Sequence, residues 1–278
     1  MRRYGPFRPT AGRSHDPRSV GIVHAQRRCR VSRRLCGECS NVVERLSNPP
    51  IVVALDVPNA EEAIRLARAV SDSVGGFKIG LELLMGPGAG LVGVLNQLGK
   101  PVFVDAKLHD IPQTVERAAR QLGMAGARWL TAHAAGGPAM LEAAVEGLTS
   151  GARGRPAGIL AITVLTSLND AILAHSGVPV TAGKLTSKRA RLAAQAGVEG
   201  VVCSVKELGV ISEVAPELAK VTPGIRPVGS DPGDQARVAT PEEAIRRGAD
   251  LLVIGRPITR AADPGAAAAE IAGSISAL

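Results

Sequence analysis

The chain reads as an α/β protein, a single-domain (β/α)8 TIM barrel preceded by a disordered basic leader. Three observations lead there. From residue 50 onward, short apolar runs alternate with amphipathic stretches, a pattern that produces βαβ units and a parallel sheet. The alternation repeats eight times, the number that closes a barrel, and 278 residues accommodate a fold that commonly takes about 250. Polar residues recur where the apolar runs end, and in such barrels the working residues collect at the carboxyl ends of the strands.

Taken in order, strands are expected at 51–55, 76–80, 101–105, 128–132, 158–164, 199–203, 219–222 and 250–254, each followed by room for a helix. Two helix starts carry capping residues. In Asn59-Ala-Glu-Glu62 the asparagine can cap the first turn and Glu62 can reach back. In Thr240-Pro241-Glu242-Glu243, Thr240 caps, Pro241 suits the first helical position and Glu243 completes a capping box. Gly248 provides the stop, so this helix should span 241–247. A doubly wound open sheet is the alternative, but no Gly-x-Gly-x-x-Gly follows the first strand to mark a dinucleotide site. The expected organisation is a leader over residues 1–47 and a catalytic barrel over 48–278.

Apolar residues make up 45% of the chain and aromatics only 2%, so Ala, Val, Leu and Ile must build the core; Trp129 is the sole tryptophan. No apolar run approaches the roughly 20 residues of a membrane span, so a soluble protein with no membrane partner is expected. The net charge of +8 would suggest nucleic acid if it lay on a folded face. Residues 1–46 hold eleven arginines against Asp16, Glu38 and Glu44. The leader therefore carries the whole surplus, and the neutral body is not expected to bind nucleic acid.

The leader has no apolar period and scattered Pro and Gly, which reads as disorder. Its Arg-rich, acid-poor composition loosely resembles an organelle transit peptide, although Pro6, Pro9 and Pro17 interrupt an amphipathic helix. A start assigned too far upstream and a dispensable tail are the other readings. Cys36-Gly-Glu-Cys39 has the spacing of a zinc or redox pair. With Cys29 also in the leader, a four-cysteine site would need the distant Cys203; His15 or His24 would complete a mixed one. The scarcity of cysteine fits a reducing compartment, and a cytoplasmic location is expected.

The stretch Asp105-Ala-Lys-Leu-His-Asp-Ile-Pro-Gln-Thr114 follows directly on the strand-like Val102-Phe103-Val104. Side chains alternate along a strand, so Asp105 and Lys107 project the same way where chain leaves sheet for loop. Asp110 lies just beyond, free to approach the same ammonium. Two carboxylates near one lysine favour its protonated form against burial. The result would be a permanent cation and proton donor. Taken alone, Asp-x-Lys-x-x-Asp also fits solvated surface charge, but a position at the end of a buried strand argues against that. Asp56, Lys78, His133, Thr166, Ser167, Ser204, Arg226 and Arg256 fall at the other strand ends. Each alone could be a cap or turn residue; their joint place on one rim is the stronger observation.

Several ordered elements of the body, from about residue 50 to 275, resemble the orotidine 5′-phosphate decarboxylase family. They are Ala-Leu-Asp56, Phe-Lys78-Ile-Gly, the stretch 105–114, Val-Leu-Thr166-Ser, Thr-Pro-Gly-Ile-Arg226-Pro, Asp-Gln235 and Ile-Gly255-Arg256-Pro-Ile-Thr. The leader has no counterpart in the family pattern. The resemblance implies conversion of orotidine 5′-phosphate to UMP in pyrimidine biosynthesis, with no cofactor and no metal. It implies that Lys107 is the catalytic acid within an alternating network of Lys78, Asp105, Lys107 and Asp110. It further implies a homodimer, in which Asp110 and Thr114 enter the neighbouring subunit's site. Asp56, Lys78, Asp110 and Thr114 would then hold the ribose hydroxyls, and Thr166 with Ser167 the pyrimidine ring. Arg226, Gln235, Gly255 and Arg256 would bind the phosphate beneath a lid formed by 227–234, and loops after strands seven and eight are the usual place for a phosphate in such barrels.

Hexulose-phosphate synthases and ketogulonate-phosphate decarboxylases share Asp-x-Lys-x-x-Asp but use magnesium. Here Asp110 is followed by Ile-Pro-Gln-Thr with no acid before Glu116, and the Thr166, Gln235 and Arg256 elements fit the nucleotide enzyme. A nucleic-acid-binding role resting on the leader is a rival of a different kind, opposed by the neutrality of the body. His109 and His133 fit hydrogen-bonding loop or rim positions, and neither is assigned to catalysis.

Overall fold

The computed structural model of the chain describes residues 49–227 and 238–278. Eight parallel strands, β1 (Ile51–Ala54), β2 (Gly76–Ile79), β3 (Val102–Leu108), β4 (Trp129–His133), β5 (Gly158–Ile162), β6 (Gly200–Val202), β7 (Ala219–Thr222) and β8 (Leu251–Ile254), follow one another around the sheet. Pairing of β8 with β1 closes the barrel. The eight expected strands are all present, and seven have ends within two residues of the expectation. β3 is the exception: it runs on to Leu108, through the Asp105–Lys107 segment. The boundary expected between leader and barrel falls outside the described residues, as do Cys36 and Cys39.

Two apolar layers result from the period-two alternation of the strands. The inward layer contains Val52, Ala54, Phe103, Trp129, Leu160, Val221 and Val253. The outward layer packs the strands against the surrounding helices through residues such as Val53, Phe77, Val104, Leu130 and Ile254. The body contains few aromatics, but Phe77, Phe103 and Trp129 are all buried. Scarcity of aromatics therefore leaves the aliphatic residues to build the bulk of the core, with Phe103 and Trp129 in the inward layer and Phe77 in the outward one. Among the described residues no helix is long and apolar enough to cross a membrane.

The helix starts follow their caps. Asn59 accepts from Glu62 N–H at 2.9 Å, and Thr240 accepts from Glu243 N–H at 3.1 Å to open the helix Pro241–Arg246. The carboxylate of Glu243 pairs with Arg247 at 2.9 Å instead of completing the expected box. A reciprocal box occurs at Ser204 and Glu207, with Ser204 N–H donating to Glu207 at 2.9 Å. Ser204, a candidate rim residue by position, is thus a buried cap.

At the amino-terminal face, Arg128 forks onto Glu199 at 2.8 and 2.7 Å, and Trp129 Nε1 donates to the same carboxylate at 3.0 Å. Arg128 also lies 4.7 Å over the indole ring. Between them, Gly158 opens β5; a Cβ there would collide with the Glu199 carboxylate. This ties β4 to β6 across β5, at the end of the barrel that carries stability rather than chemistry.

The helices Pro112–Ala125 and Pro138–Ala152 approach backbone to backbone. A Cβ at Gly147 would collide with the carbonyl oxygen of Glu116, and one at Gly151 with that of Arg120. Gly273, inside the helix Pro264–Ser276, faces open space instead. The same substitution should therefore have opposite signs at the two places. Gly273→Ala gains about 0.5–1 kcal/mol from helix propensity, whereas Gly147→Ala loses about 1–3 kcal/mol through overpacking. Urea denaturation of both variants checks this; a stabilised Gly147→Ala protein would refute the close helix contact.

Candidate active site

At the carboxyl ends of the strands, the charged residues form one row of alternating sign. Lys78 Nζ lies 3.0 Å from Asp56 Oδ1 and 3.7 Å from Asp105 Oδ2. Lys107 Nζ lies 2.6 Å from the same Asp105 oxygen. Lys78 is buried on an inward position of β2, with only its head between the two carboxylates. Gly80, next on that face, leaves the space: a Cβ would stand 3.2 Å from Asp56 Oδ1 and 3.3 Å from Lys78 Nζ. A buried ammonium is tolerable only when paired and hydrogen-bonded, and both conditions are met.

The local backbone explains how Asp105 and Lys107 come to face each other. β3 and β4 are in register at Val104 with Leu130, but the next pair is Leu108 with Ala132, so β3 inserts extra residues between them. Within this bulge Lys107 takes φ +49°, a left-handed conformation uncommon outside glycine. Its N–H donates to the Thr131 hydroxyl at 2.8 Å, and that hydroxyl donates to Asp105 Oδ1 at 2.9 Å. Burial works to raise the Asp105 pKa. The Lys78 and Lys107 ammonium groups, with hydrogen bonds from Lys107 and Thr131, outweigh it and hold the carboxyl below its ordinary value.

The row lines a cavity of about 560 Å³. Ile162, Val164, Leu165 and Val202 form an apolar wall, and Thr166 joins them on the segment after β5. Arg189 supports that segment by donating to the Thr163 carbonyl. Arg226, Gly255 and Arg256 line the same space, together with Thr259 and Arg260. Gly255 sits close to β1, where its Cβ would lie 3.5 Å from Ala54 and 4.0 Å from Asp56 Oδ2. The guanidinium end and the ion-pair row therefore belong to a single concave site. Arg226 is nearly buried and donates to the Ile225 carbonyl at 2.8 Å.

A family model for the orotidine 5′-phosphate decarboxylase / HUMPS family matches residues 49–271. The chain belongs to this family. It is 49% identical over 226 residues to the orotidine 5′-phosphate decarboxylase of Anaeromyxobacter sp. (strain K), covering 81% of this chain and 97% of that relative. Its identity to the orotidine 5′-phosphate decarboxylase of Thermobifida fusca is 48% over 228 residues, 81% and 95% of the two chains. Among solved structures, the orotidine 5′-phosphate decarboxylase of Lactobacillus acidophilus superposes with a TM-score of 0.73 at 34% identity, covering 81% of this chain and 98% of that one.

Of the residues singled out from the sequence, this member of the decarboxylase family brings Asp56, Lys78, Asp105, Lys107, Thr166, Arg226, Gly255 and Arg256 to one cavity. Asp110 departs from the reading that set it beside Lys107. It is exposed, and its carboxylate accepts from Ile111 N–H at 2.7 Å, so among the described residues the ammonium of Lys107 faces one carboxylate and Asp105 faces two ammonium groups. Thr114, on the first turn of Pro112–Ala125, is also exposed and outside the cavity lining. Ser167 is exposed and does not line the cavity, unlike Thr166. Gln235 and residues 228–234 lie outside the described residues. Among the described residues, no group of three or more His, Cys, Asp or Glu could hold a metal ion. Cys203 is buried without a disulfide, and burial pushes its thiol pKa up.

Thr131 was not a sequence candidate. The signal was the period of β4, which puts it on the same face as His133. The His133 ring stacks against His109, with centroids 5.3 Å apart. Burial first, then the nearby His109, Arg189 and Lys107, press the His133 imidazole down to about 4, with Asp105 opposing.

Because the folded chain holds this proton more weakly than the unfolded one, His133 contributes stability at neutral pH that is lost as pH falls from its ordinary 6.5 towards about 4. Asp105 acts in the same direction, but below its ordinary 3.8. Between pH 7 and pH 5 the urea midpoint should fall more for the wild-type protein than for His133→Gln. Parallel curves would show that the imidazole is not the titrating group.

Proposed function

We propose that this protein is an orotidine 5′-phosphate decarboxylase that makes UMP for pyrimidine synthesis, working without cofactor or metal. The observation that carries the reading is the row Asp56, Lys78, Asp105, Lys107 in one cavity with Arg226, Gly255 and Arg256. The names of relatives that align over nearly their whole length support it. We expect the protein in the cytoplasm, as its single buried cysteine among the described residues suits a reducing compartment.

In this reading the guanidinium end takes the phosphate, in the forked geometry that suits phosphate oxygens. Gln235 and the 227–234 segment would close over it. Asp56 and Lys78 hold the ribose hydroxyls, and Thr166 contacts the pyrimidine against the apolar wall. The C6 carbon then faces Lys107. Heterolysis of the bond from C6 to the carboxylate releases CO2 and leaves the electron pair on C6, in the ring plane, where resonance offers little help. Lys107 stabilises that charge and transfers an N–H proton to C6, afterwards recovering a proton from solvent. A preorganised cation in a site closed to water stabilises a transition state without reorganisation. Binding energy from the remote phosphate contributes by assembling the site.

A homodimer completes the site in this reading, with Asp110 and Thr114 entering from the neighbour. Support comes from their exposure beside Ile111, an apolar side chain left 65% exposed, as expected of a surface that a second copy covers.

Lys107→Ala should abolish turnover of orotidine 5′-phosphate while UMP binding persists; retained turnover would mean that the proton comes from elsewhere. Arg256→Ala should lower kcat/KM about 10- to 100-fold, the range for losing a hydrogen bond to a charged group, with the fold intact by circular dichroism. Full activity in excess EDTA is expected, whereas loss restored by magnesium would favour the metal-dependent branch. Mixing inactive Lys107→Ala and Asp110→Asn chains should restore about one quarter of wild-type activity, since two-fold symmetry leaves one intact site in each mixed dimer. No restoration would dismiss the composite site.

A further inference from the structure

We propose that Thr131 is a positioning residue, whose single hydroxyl locks the Asp105 carboxylate and the Lys107 backbone to each other. The inference rests on the decarboxylase reading, because what it positions is the cation set against C6. The direction of the two bonds is not arbitrary. The Lys107 N–H can only donate, so the Thr131 oxygen accepts at 2.8 Å, and its one O–H is left for Asp105 Oδ1 at 2.9 Å. Thr131 is fully buried.

This splits the tasks of the two Asp105 oxygens. Oδ1 is held by Thr131, and Oδ2 is left to face Lys107 at 2.6 Å and Lys78 at 3.7 Å. A carboxylate free to rotate would present either oxygen, and the spacing of the two ammonium groups would drift with it. The same hydroxyl takes up the Lys107 amide, which the shifted register of β3 on β4 directs to a side chain instead of a strand carbonyl. A residue at φ +49° persists only where its surroundings hold it. Two positions further along β4, His133 carries the His109 ring. The segment 107–109 is thus tied twice to one strand, first through the hydroxyl and then through the ring.

A threonine kept only to fill the barrel would tolerate valine, which has its shape, better than serine, which lacks the methyl group. A positioning hydroxyl predicts the reverse order. With the full chain, Thr131→Val should reduce kcat about 10- to 100-fold, as expected for losing a hydrogen bond to a charged group, with KM and UMP affinity within about threefold. Thr131→Ser should restore kcat to within about threefold of wild type. Hydrogen-deuterium exchange over residues 105–110, measured without substrate, should be faster in Thr131→Val and unchanged in Thr131→Ser.

Unchanged kcat in Thr131→Val, or a serine variant as impaired as the valine one, would overturn the assignment. If the valine variant does not fold, Thr131→Ala is measured in its place against the same criteria. A wild-type chain without turnover would overturn the decarboxylase reading and with it the catalytic part of the assignment. The exchange order would still decide the hydrogen bonding: faster in valine than in serine upholds it, and equal rates overturn it.

Discussion

The largely buried carboxylate of Asp105 between two ammonium groups is the interaction on which the candidate site depends. Removing that charge would leave Lys78, almost without solvent, with Asp56 as its remaining ion-pair partner, and would release Lys107 from its only ion pair among the described residues. In a medium of low polarity an uncompensated charge is expensive. The members of the row therefore compensate one another's charge, and each needs the others in position. Gly80 leaves room for the row, Thr131 orients its central member, and the β3 bulge turns Lys107 back towards Asp105.

The barrel separates this demand from the demands of stability. At the amino-terminal face, Glu199 satisfies Arg128 and the Trp129 indole at once, and the glycines of the helices Pro112–Ala125 and Pro138–Ala152 permit backbone contact. The barrel interior is mostly aliphatic, with Phe103 and Trp129 as its aromatic members. The rim can then carry buried charge, a left-handed lysine and a depressed imidazole, because the layers below supply the rigid frame that holds them.

Legibility in the sequence followed the range of the forces involved. The eight strands could be read because apolar alternation and turn residues act over a few positions. The caps at Asn59 and Thr240 were visible for the same reason; Ser204 passed for a rim residue although Ser204-Val-Lys-Glu207 carries the same capping-box spacing. Asp56, Lys78, Asp105, Lys107, Thr166, Arg226 and Arg256 were located by standing at strand ends, which in a barrel lie on one rim, and Gly255 by the resemblance of its segment to the family. Thr131 was missed although its alternation with His133 was available, because an uncharged strand residue gives no sign of what it faces.

By itself the sequence determined the barrel, the rim on which charge collects and the adjacency of Asp105 to Lys107, since each follows from local periodicity and spacing. Only the tertiary structure decided how the charges pair. The register shift of β3 against β4 and the reach of Lys78 from β2 to Asp56 and Asp105 depend on contacts between strands distant in the chain. Spacing along one strand fixes which way a side chain starts out, but its partner is set by what neighbouring strands bring to the same point in space.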